Sequence, residues 1–184
     1  MIITLSGLPG SGKTTIASML SERLGVEWYS MGDLRGKMAA ERGLSIDELN
    51  ALGETEAFTD KEVDDYQTKL GASGDAFVID GRLSWHFIPK AYKVFLSVDP
   101  KEGARRVFEA QKARERADER TYASQDEAEA ALRARNESDQ RRYRKYYGLD
   151  IFQKANYDLW LDTTTLTPQQ IVATILAAVE ARKA

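Results

Sequence analysis

An eight-residue stretch near the N-terminus has the residue types of a phosphate-binding loop. It reads Gly7-Leu8-Pro9-Gly10-Ser11-Gly12-Lys13-Thr14. The stretch matches the pattern G-x-x-x-x-G-K-[ST], in which successive backbone N–H groups turn inward around phosphate oxygens. In this pattern the lysine reaches the β- and γ-phosphates, and the hydroxyl residue ligates Mg²⁺. We therefore expect residues 7–15, including Thr15, to bind ATP, with Lys13 catalytic and Thr14 at the metal.

The segments around this loop have the patterns that such a loop requires. The apolar residues 2–6 predict a buried strand, and residues 13–24 carry Ile16, Leu20 and Leu24 at helical spacing. Further strands are predicted over residues 26–30, 77–80, 92–98 and 159–162. Helices are predicted from the caps Asp33, Ser45, Thr59, Asp99 and Thr167. This alternation predicts an α/β fold, a five-stranded parallel sheet with helices on both faces.

Composition limits the class of protein. The 184 residues have a net charge of −3 and no cysteine, which suits one domain over residues 1–184 and excludes disulfides and thiol chemistry. An acidic chain lacks the basic footprint of a nucleic-acid-binding protein. The N-terminus enters the first strand at once, and no apolar stretch is long enough for a membrane span. We expect a soluble, cytoplasmic monomer without nucleic-acid or membrane partners.

Polar residues follow the predicted strands at the edge where parallel sheets bind ligands. Ser30, Asp33 and Arg35 follow the second strand, and Asp80 and Arg82 end or follow the third. Guanidinium groups bind phosphate in a bidentate fashion, so an arginine after each strand indicates a phosphorylated acceptor. Asp80 has two open interpretations, as a contributor to the Mg²⁺ site or as a turn residue beside Gly81.

Charge is unevenly distributed along the chain. Residues 101–145 hold 13 of the 26 basic side chains against 10 acidic ones, whereas residues 41–65 hold nine carboxylates against Arg42 and Lys61. Most of these charges are expected to be solvated. Arg135 and Arg142 are seven residues apart, which is two helical turns, so both face one cleft if the helix is continuous.

The motifs together resemble the cytidylate kinase family, and in particular its archaeal-type branch. The resemblance covers nearly the whole chain, in order. It is carried by the phosphate loop, by residues 29–33 and 80–82, by Arg105-Arg106, by residues 135–143, and by Arg142-Tyr143-Arg144-Lys145-Tyr146-Tyr147-Gly148. It implies a nucleoside monophosphate kinase fold with a monophosphate-binding helical region at about 31–72 and a mobile lid at about 110–130.

The resemblance also implies roles for individual residues. Ser30 and Arg35 match positions that contact the acceptor nucleotide, and Arg82 matches its arginine after the third strand. Arg135 and Arg142 match two catalytic arginines that close over the phosphates of donor and acceptor. We expect Arg142 to act mainly in the transition state and to contribute little to stability.

One or two lid arginines are expected to touch ATP, and we favour Arg114 and Arg116. The remaining arginines of this region, among them Arg105, Arg106 and Arg133, are expected to be surface charges.

The chain departs from the family pattern at two positions. Gly36 stands where archaeal-type members usually carry an arginine, and Leu83 stands where bacterial-type members carry an aspartate that contacts the cytosine amino group. Ser84, Asp33 or a carboxylate of residues 41–65 are the candidates to replace that contact.

The expected reaction is transfer of the ATP γ-phosphoryl group to CMP or dCMP, with Mg²⁺ as cofactor. One alternative is an adenylate kinase-like or other small-molecule kinase. The other is a regulatory nucleotide switch, which the missing Asn-Lys-x-Asp element and the many arginines disfavour.

Overall fold

Five parallel strands form the centre of the molecule. In the computed structural model, which describes residues 1–56, 58–112 and 121–182, they are β1 (Ile2–Gly7), β2 (Glu27–Ser30), β3 (Phe77–Asp80), β4 (Tyr92–Ser97) and β5 (Leu159–Asp162). Their order across the sheet is β2-β3-β1-β4-β5, and each neighbouring pair is parallel. The predicted α/β fold with a five-stranded parallel sheet is confirmed.

The described residues also form eight α-helices. These are α1 (Lys13–Leu24), α2 (Met31–Glu41), α3 (Ile46–Gly53), α4 (Phe58–Gly71), α5 (Ser84–Phe87), α6 (Pro100–Lys112), α7 (Gln125–Tyr147) and α8 (Pro168–Ala181). Three of them, α2 to α4, lie between β2 and β3, and the pair α6 and α7 lies between β4 and β5. None of the described helices is both long enough and apolar enough to cross a membrane.

Apolar side chains cover the sheet on both faces. Val78 of β3 packs with α1 and α8 on one face, while its neighbours Phe77 and Ile79 pack with α2, α3 and α4 on the other. This alternation follows from the two-residue period of a strand. The sheet is therefore buried between two helical layers, which fixes the carboxyl ends of its strands as one rigid edge.

Two local predictions are wrong, and one helix has no counterpart among the predictions. Ser30, rather than Asp33, is the N-cap of α2, because its Oγ accepts the backbone N–H of Asp33 at 3.2 Å. Helix α4 begins at Phe58, so Thr59 lies inside its first turn. The short helix α5 was not anticipated, since four residues are too few to show a helical period. The helix is continuous between Arg135 and Arg142, since both lie within α7, so the condition for the two arginines to face one cleft is met.

Helix α6 approaches the phosphate loop at backbone distance. A Cβ atom on Gly10, whose φ is +75°, would lie 2.3 Å from the carbonyl oxygen of Gly103, and one on Gly103 would lie 2.9 Å from the oxygen of Pro9. Real Cβ atoms essentially never come this close, so glycine at both positions allows the contact. The loop is thus held from one side by the main chain of α6.

Replacing Gly103 with alanine tests this contact. The added methyl group must displace main-chain atoms, so we expect the free energy of unfolding in urea to fall by about 1–3 kcal/mol. The matched control is Gly32→Ala in α2, where the nearest atom, Ser30 Oγ, is 3.7 Å from the added Cβ. That change should be neutral or should stabilise by up to about 1 kcal/mol. Equal stabilities of the two variants would contradict the close approach.

Candidate active site

The phosphate loop connects the end of β1 to the first turn of α1. Its conformation places Gly10 and Gly12 in the left-handed region, with φ of 75° and 89°. The Lys13 ammonium donates to the carbonyl oxygen of Leu8 at 2.8 Å, so the lysine is folded back over the loop. Thr14 and Thr15 occupy the N-terminal turn of α1, where unpaired backbone N–H groups and the helix dipole favour an anion.

Arg106 of α6 ties this loop to the end of β5. Its guanidinium donates to the carbonyl oxygens of Thr163 at 2.9 Å and Thr164 at 3.0 Å, and more weakly to that of Gly10 at 3.4 Å. Its Nε also pairs with Glu102 at 2.8 Å. The expectation of a surface charge is wrong for Arg106, because a guanidinium that bonds three main-chain carbonyls is a structural tie.

Three arginines from distant parts of the chain converge around two carboxylates. Asp60 of α4 pairs with Arg35 at 2.8 Å and with Nε of Arg142 at 2.9 Å. Asp139 of α7 pairs with Arg142 at 2.9 Å and with Arg82 at 2.7 Å. All five side chains are largely buried. The arginine cluster, defined as Arg35, Arg82 and Arg142, therefore carries one more positive charge than its two partners neutralise.

Electrostatics inside the cluster keep its charges in place. Burial alone would raise the pKa of Asp139, but Arg82 and Arg142 hold it below its ordinary value. Burial alone would likewise lower the pKa of Arg142, yet Asp139 and its other neighbours raise it above its ordinary value. The pKa of Arg35 is lowered by burial against the attraction of Asp60, although a guanidinium stays protonated in a protein.

Arg135 is held less firmly than the arginine cluster. It is half-buried on α7, and its Nε is buried without a hydrogen-bond partner among the described residues. It also contributes to the low pKa of Asp139, so it lies close enough to act on that carboxylate electrostatically. A guanidinium with an unused donor is suited to an anion that arrives with a substrate.

Ser30 and Asp80 meet at the carboxyl ends of β2 and β3. The Ser30 hydroxyl donates to Asp80 Oδ1 at 3.3 Å, and the two residues are paired in the sheet. Asp80 also lies opposite Leu5, two residues before the phosphate loop begins at Gly7. The carboxylate of Asp80 is thereby placed on the strand beside the loop.

The residues present fit a magnesium site of the open kind. Among the described residues no three acidic or histidine side chains converge as a metal cage. Mg²⁺ in kinases is held by one or two protein groups together with water and substrate phosphates. The hydroxyl of Thr14, at the start of α1, and the buried carboxylate of Asp80, at the end of β3, provide such a set.

The C-terminal end of α3 contacts α7 beside the arginine cluster. Lys145 donates to the carbonyl oxygen of Glu54 at 2.7 Å, and the Tyr146 hydroxyl donates to the same oxygen at 3.3 Å. Arg142 reaches the carbonyl oxygen of Asn50 at 3.4 Å. Cationic donors at the C-terminal end of a helix satisfy its unpaired carbonyls and complement its dipole.

A cavity of about 640 Å³ lies between the phosphate loop and α7. Leu8 and Pro9 line it from the loop, and Leu132, Asn136 and Gln140 line it from the helix. The Asn136 side chain accepts a hydrogen bond from Arg82 at 3.0 Å, so the cavity adjoins the arginine cluster.

The structure brings together most of the residues that the sequence singled out. Arg35, Arg82 and Arg142 share one cluster, and Ser30 lies beside Asp80. Asp33 lies in the first turn of α2, where its backbone N–H donates to the Ser30 hydroxyl. The two lid arginines, Arg114 and Arg116, lie outside the described residues, as does most of the middle of the expected lid.

Sequence reasoning missed Asp60, Asp139 and Asn50. Asp139 precedes Arg142 by three residues, a spacing that places both on one helical face, and this signal was available. Asp60 lies in an acidic segment whose charges the sequence predicts to be solvated, and nothing in its spacing distinguishes it. Asn50, whose Oδ1 accepts Nε of Arg35 at 2.7 Å, offered no signal either.

A phosphate loop and an arginine cluster on one edge of a five-stranded parallel sheet define a phosphate-loop kinase. Solved structures with this fold include an uncharacterized protein of Eubacterium ventriosum, 16% identical with a TM-score of 0.72 and 98% coverage of both chains. The shikimate kinase of Aquifex aeolicus is 18% identical with a TM-score of 0.57, covering 100% of this chain and 98% of that one.

Sequence similarity places the chain within one family of such kinases. Residues 2–165 match the model of the cytidylate kinase-like family, so the chain belongs to that family. The cytidylate kinase of Methanothrix thermoacetophila is 40% identical over 183 residues, covering 100% of both chains. That of Archaeoglobus fulgidus is 33% identical over 184 residues, covering 100% of this chain and 97% of the other. The resemblance to the archaeal-type branch is confirmed.

Replacing Asp139 with asparagine tests how much the buried carboxylate contributes. The change leaves Arg82 and Arg142 without their shared counter-ion, so we expect the free energy of unfolding at pH 7 to fall by about 3–5 kcal/mol. Glu129→Gln on the same helix is the control, because it removes only the exposed pair with Arg133 and should cost under about 1 kcal/mol.

The stability loss of the Asp139→Asn variant, measured against the Glu129→Gln control, should also depend on pH. A carboxyl whose pKa is depressed in the folded state stabilises above its unfolded pKa, and this contribution is lost as the pH falls. The deficit of the Asp139 variant should therefore be largest near neutral pH and narrow below about pH 4. If the loss in free energy of unfolding, measured in urea, stays constant down to pH 3, ionised Asp139 is not its source.

Proposed function

We propose that the chain transfers the γ-phosphoryl group of ATP to CMP or dCMP, forming ADP and CDP or dCDP. The observation that carries this proposal is the arginine cluster around Asp60 and Asp139, on the same sheet edge as the phosphate loop. A loop for one phosphate chain and a separate cationic cluster suit a reaction between two phosphorylated molecules. The archaeal relatives named cytidylate kinase support cytidine as the acceptor nucleoside.

The donor half of the site is assigned to residues 7–15. Their backbone N–H groups would hold the ATP phosphates, and Lys13 would leave the carbonyl of Leu8 to follow the transferred group. Thr14 and Asp80 would hold Mg²⁺, which supplies positive charge between the β- and γ-phosphates when bound. Arg114 and Arg116 are proposed to contact ATP from the lid.

The acceptor half is assigned to Ser30, Arg35, Arg82 and Arg142, with Asp33 at its edge. The excess positive charge of the cluster would be neutralised by the acceptor phosphate. Arg135 is proposed to bridge the two halves, because it lies on the same helix as Arg142 and keeps an unused Nε donor. Guanidinium groups already oriented before charge develops stabilise the transition state without a reorganisation cost.

No side chain has to act as a base in this reaction. The attacking oxygen belongs to a phosphate that is ionised near neutral pH, so catalysis rests on positioning and charge neutralisation. Residues 31–72 are proposed as the acceptor-binding region and residues 110–130 as a lid whose closure excludes water. We also propose that the chain acts as a monomer in the cytoplasm, where its lack of cysteine suits a reducing environment.

A coupled ADP-release assay with ATP and Mg²⁺ tests the activity. CMP and dCMP should stimulate ADP formation well above the ATP-only background and above UMP, AMP and GMP. Lys13→Ala provides the blank, since it should abolish the stimulated rate. If no monophosphate stimulates the rate, the kinase assignment is wrong. If AMP is clearly the best acceptor, an adenylate kinase-like activity replaces the proposal.

Arg35→Lys separates the acceptor half from the donor half. Lysine keeps the charge but loses the planar fork that binds Asp60 and a phosphate together, so KM for CMP should rise about tenfold or more. KM for ATP should change by less than about twofold. Arg42→Lys at the C-cap of the same helix is the control, because Arg42 pairs with the exposed Glu62, and it should leave both constants unchanged. Parallel increases in both KM values for Arg35→Lys would place Arg35 outside the acceptor site.

A further inference from the structure

A carboxyl group with no assigned task lies one helical turn beyond Asp60. Asp60, Asp64 and Gln67 are spaced four and three residues apart on α4, so they share one face of the helix. Asp60 binds the arginine cluster, and the buried Gln67 accepts a hydrogen bond from the Ser84 hydroxyl at 2.6 Å. Asp64 therefore lies between the arginine cluster and the start of α5.

Asp64 is held in place from α7. The Tyr147 hydroxyl donates to Asp64 Oδ2, which fixes the orientation of the carboxyl group. The ring of Tyr147 meets that of Phe87 edge-on at 5.8 Å and packs in one apolar cluster with Leu83. Asp64 is thus a half-buried, oriented acceptor beside aromatic and aliphatic side chains.

The charged surroundings of Asp64 are mixed. Burial raises its pKa to about 6, a rise to which Asp60 and Asp65 add and which the Tyr147 hydrogen bond and Arg35 oppose. Near neutral pH the group is therefore mainly ionised, and an ionised carboxyl can only accept hydrogen bonds. A donor on the substrate would satisfy it, whereas an acceptor would be repelled.

We propose that Asp64 accepts a hydrogen bond from the 4-amino group of cytosine and so selects CMP over UMP. This inference rests on the proposed function, which places the acceptor phosphate on the arginine cluster. Asp64 lies one helical turn, about 5.4 Å, from Asp60, so a nucleotide with its phosphate on the arginine cluster would extend its sugar and base along this face of α4. Cytosine presents an amino donor at position 4, to which carboxylates bond, and uracil presents a carbonyl oxygen there.

The position of Leu83 agrees with this assignment. Leu83 immediately follows Arg82 of the arginine cluster, and as an aliphatic residue it offers the base no hydrogen bond. Its side chain packs with Tyr147, the residue that orients Asp64. Leu83 would thus form an apolar wall for the base, while Asp64 of α4 supplies the polar contact.

The test compares CMP with UMP, both as substrates and as ligands in calorimetry. Asp64→Asn replaces the acceptor-only group with an amide that can donate to the uracil oxygen. The ratio of kcat/KM for CMP to that for UMP should fall at least about tenfold, because a site built for a substrate NH loses its discrimination when that partner changes. Tyr147→Phe should lower the ratio less. Asp65→Asn changes the exposed neighbouring carboxylate and should leave the ratio unchanged.

The outcomes separate this inference from the proposed function. KM for ATP reports whether each variant keeps an intact donor site, and if Asp64→Asn loses it, Tyr147→Phe carries the comparison. An unchanged CMP-to-UMP ratio in variants with normal KM for ATP overturns the role of Asp64 alone. If the chain turns over neither nucleotide, the proposed function fails. The ratio of the CMP and UMP affinities in calorimetry then still tests the role of Asp64. Equal binding of CMP and UMP by the unaltered chain overturns the inference.

Discussion

The burial of three guanidinium groups around two carboxylates is the constraint on which the packing of α2, α4 and α7 beside the sheet depends. A buried charge without a partner costs several kcal/mol, so Arg35, Arg82 and Arg142 can be buried together only because Asp60 and Asp139 alternate with them. The five side chains come from α2, α4, α7 and the segment after β3. One electrostatic network thus fixes how these elements meet, and its surplus positive charge is available for a phosphate.

Sheet geometry sets the distance between this network and the phosphate loop. The loop leaves β1, whereas Arg82 and Asp80 come from the neighbouring strand β3 and the segment that follows it. Adjacent strands are about 4.8 Å apart, so the sheet itself places the phosphate loop next to Asp80 and Arg82. The main chain of α6 and the hydrogen bonds of Arg106 hold the loop from its other side.

The sequence was sufficient for the parts of the structure that depend on local patterns. The strand over residues 77–80, the helix over 13–24 and the terminal helix after Thr167 follow directly from apolar runs, glycine and proline, and caps. The arginines of the site were also identifiable, because strand ends and phosphate chemistry both pointed to them. The carboxylates were not, since the pairing of Asp60 with Arg35 joins α4 to α2 through tertiary contacts that no spacing encodes.

The burial of Arg142 changes what its removal would mean. The sequence suggested a phosphate clamp that contributes little to stability, but the side chain is almost inaccessible and pairs with both carboxylates. Deleting it would leave Asp60 and Asp139 short of a counter-ion in a dry environment, an effect on folding as large as any on catalysis. Arg135 lacks such ties in the described structure, so its contribution to transition-state charge can be measured with less interference from folding. The residue that holds the site together is therefore a poorer reporter of the chemistry than the one that is only loosely attached to it.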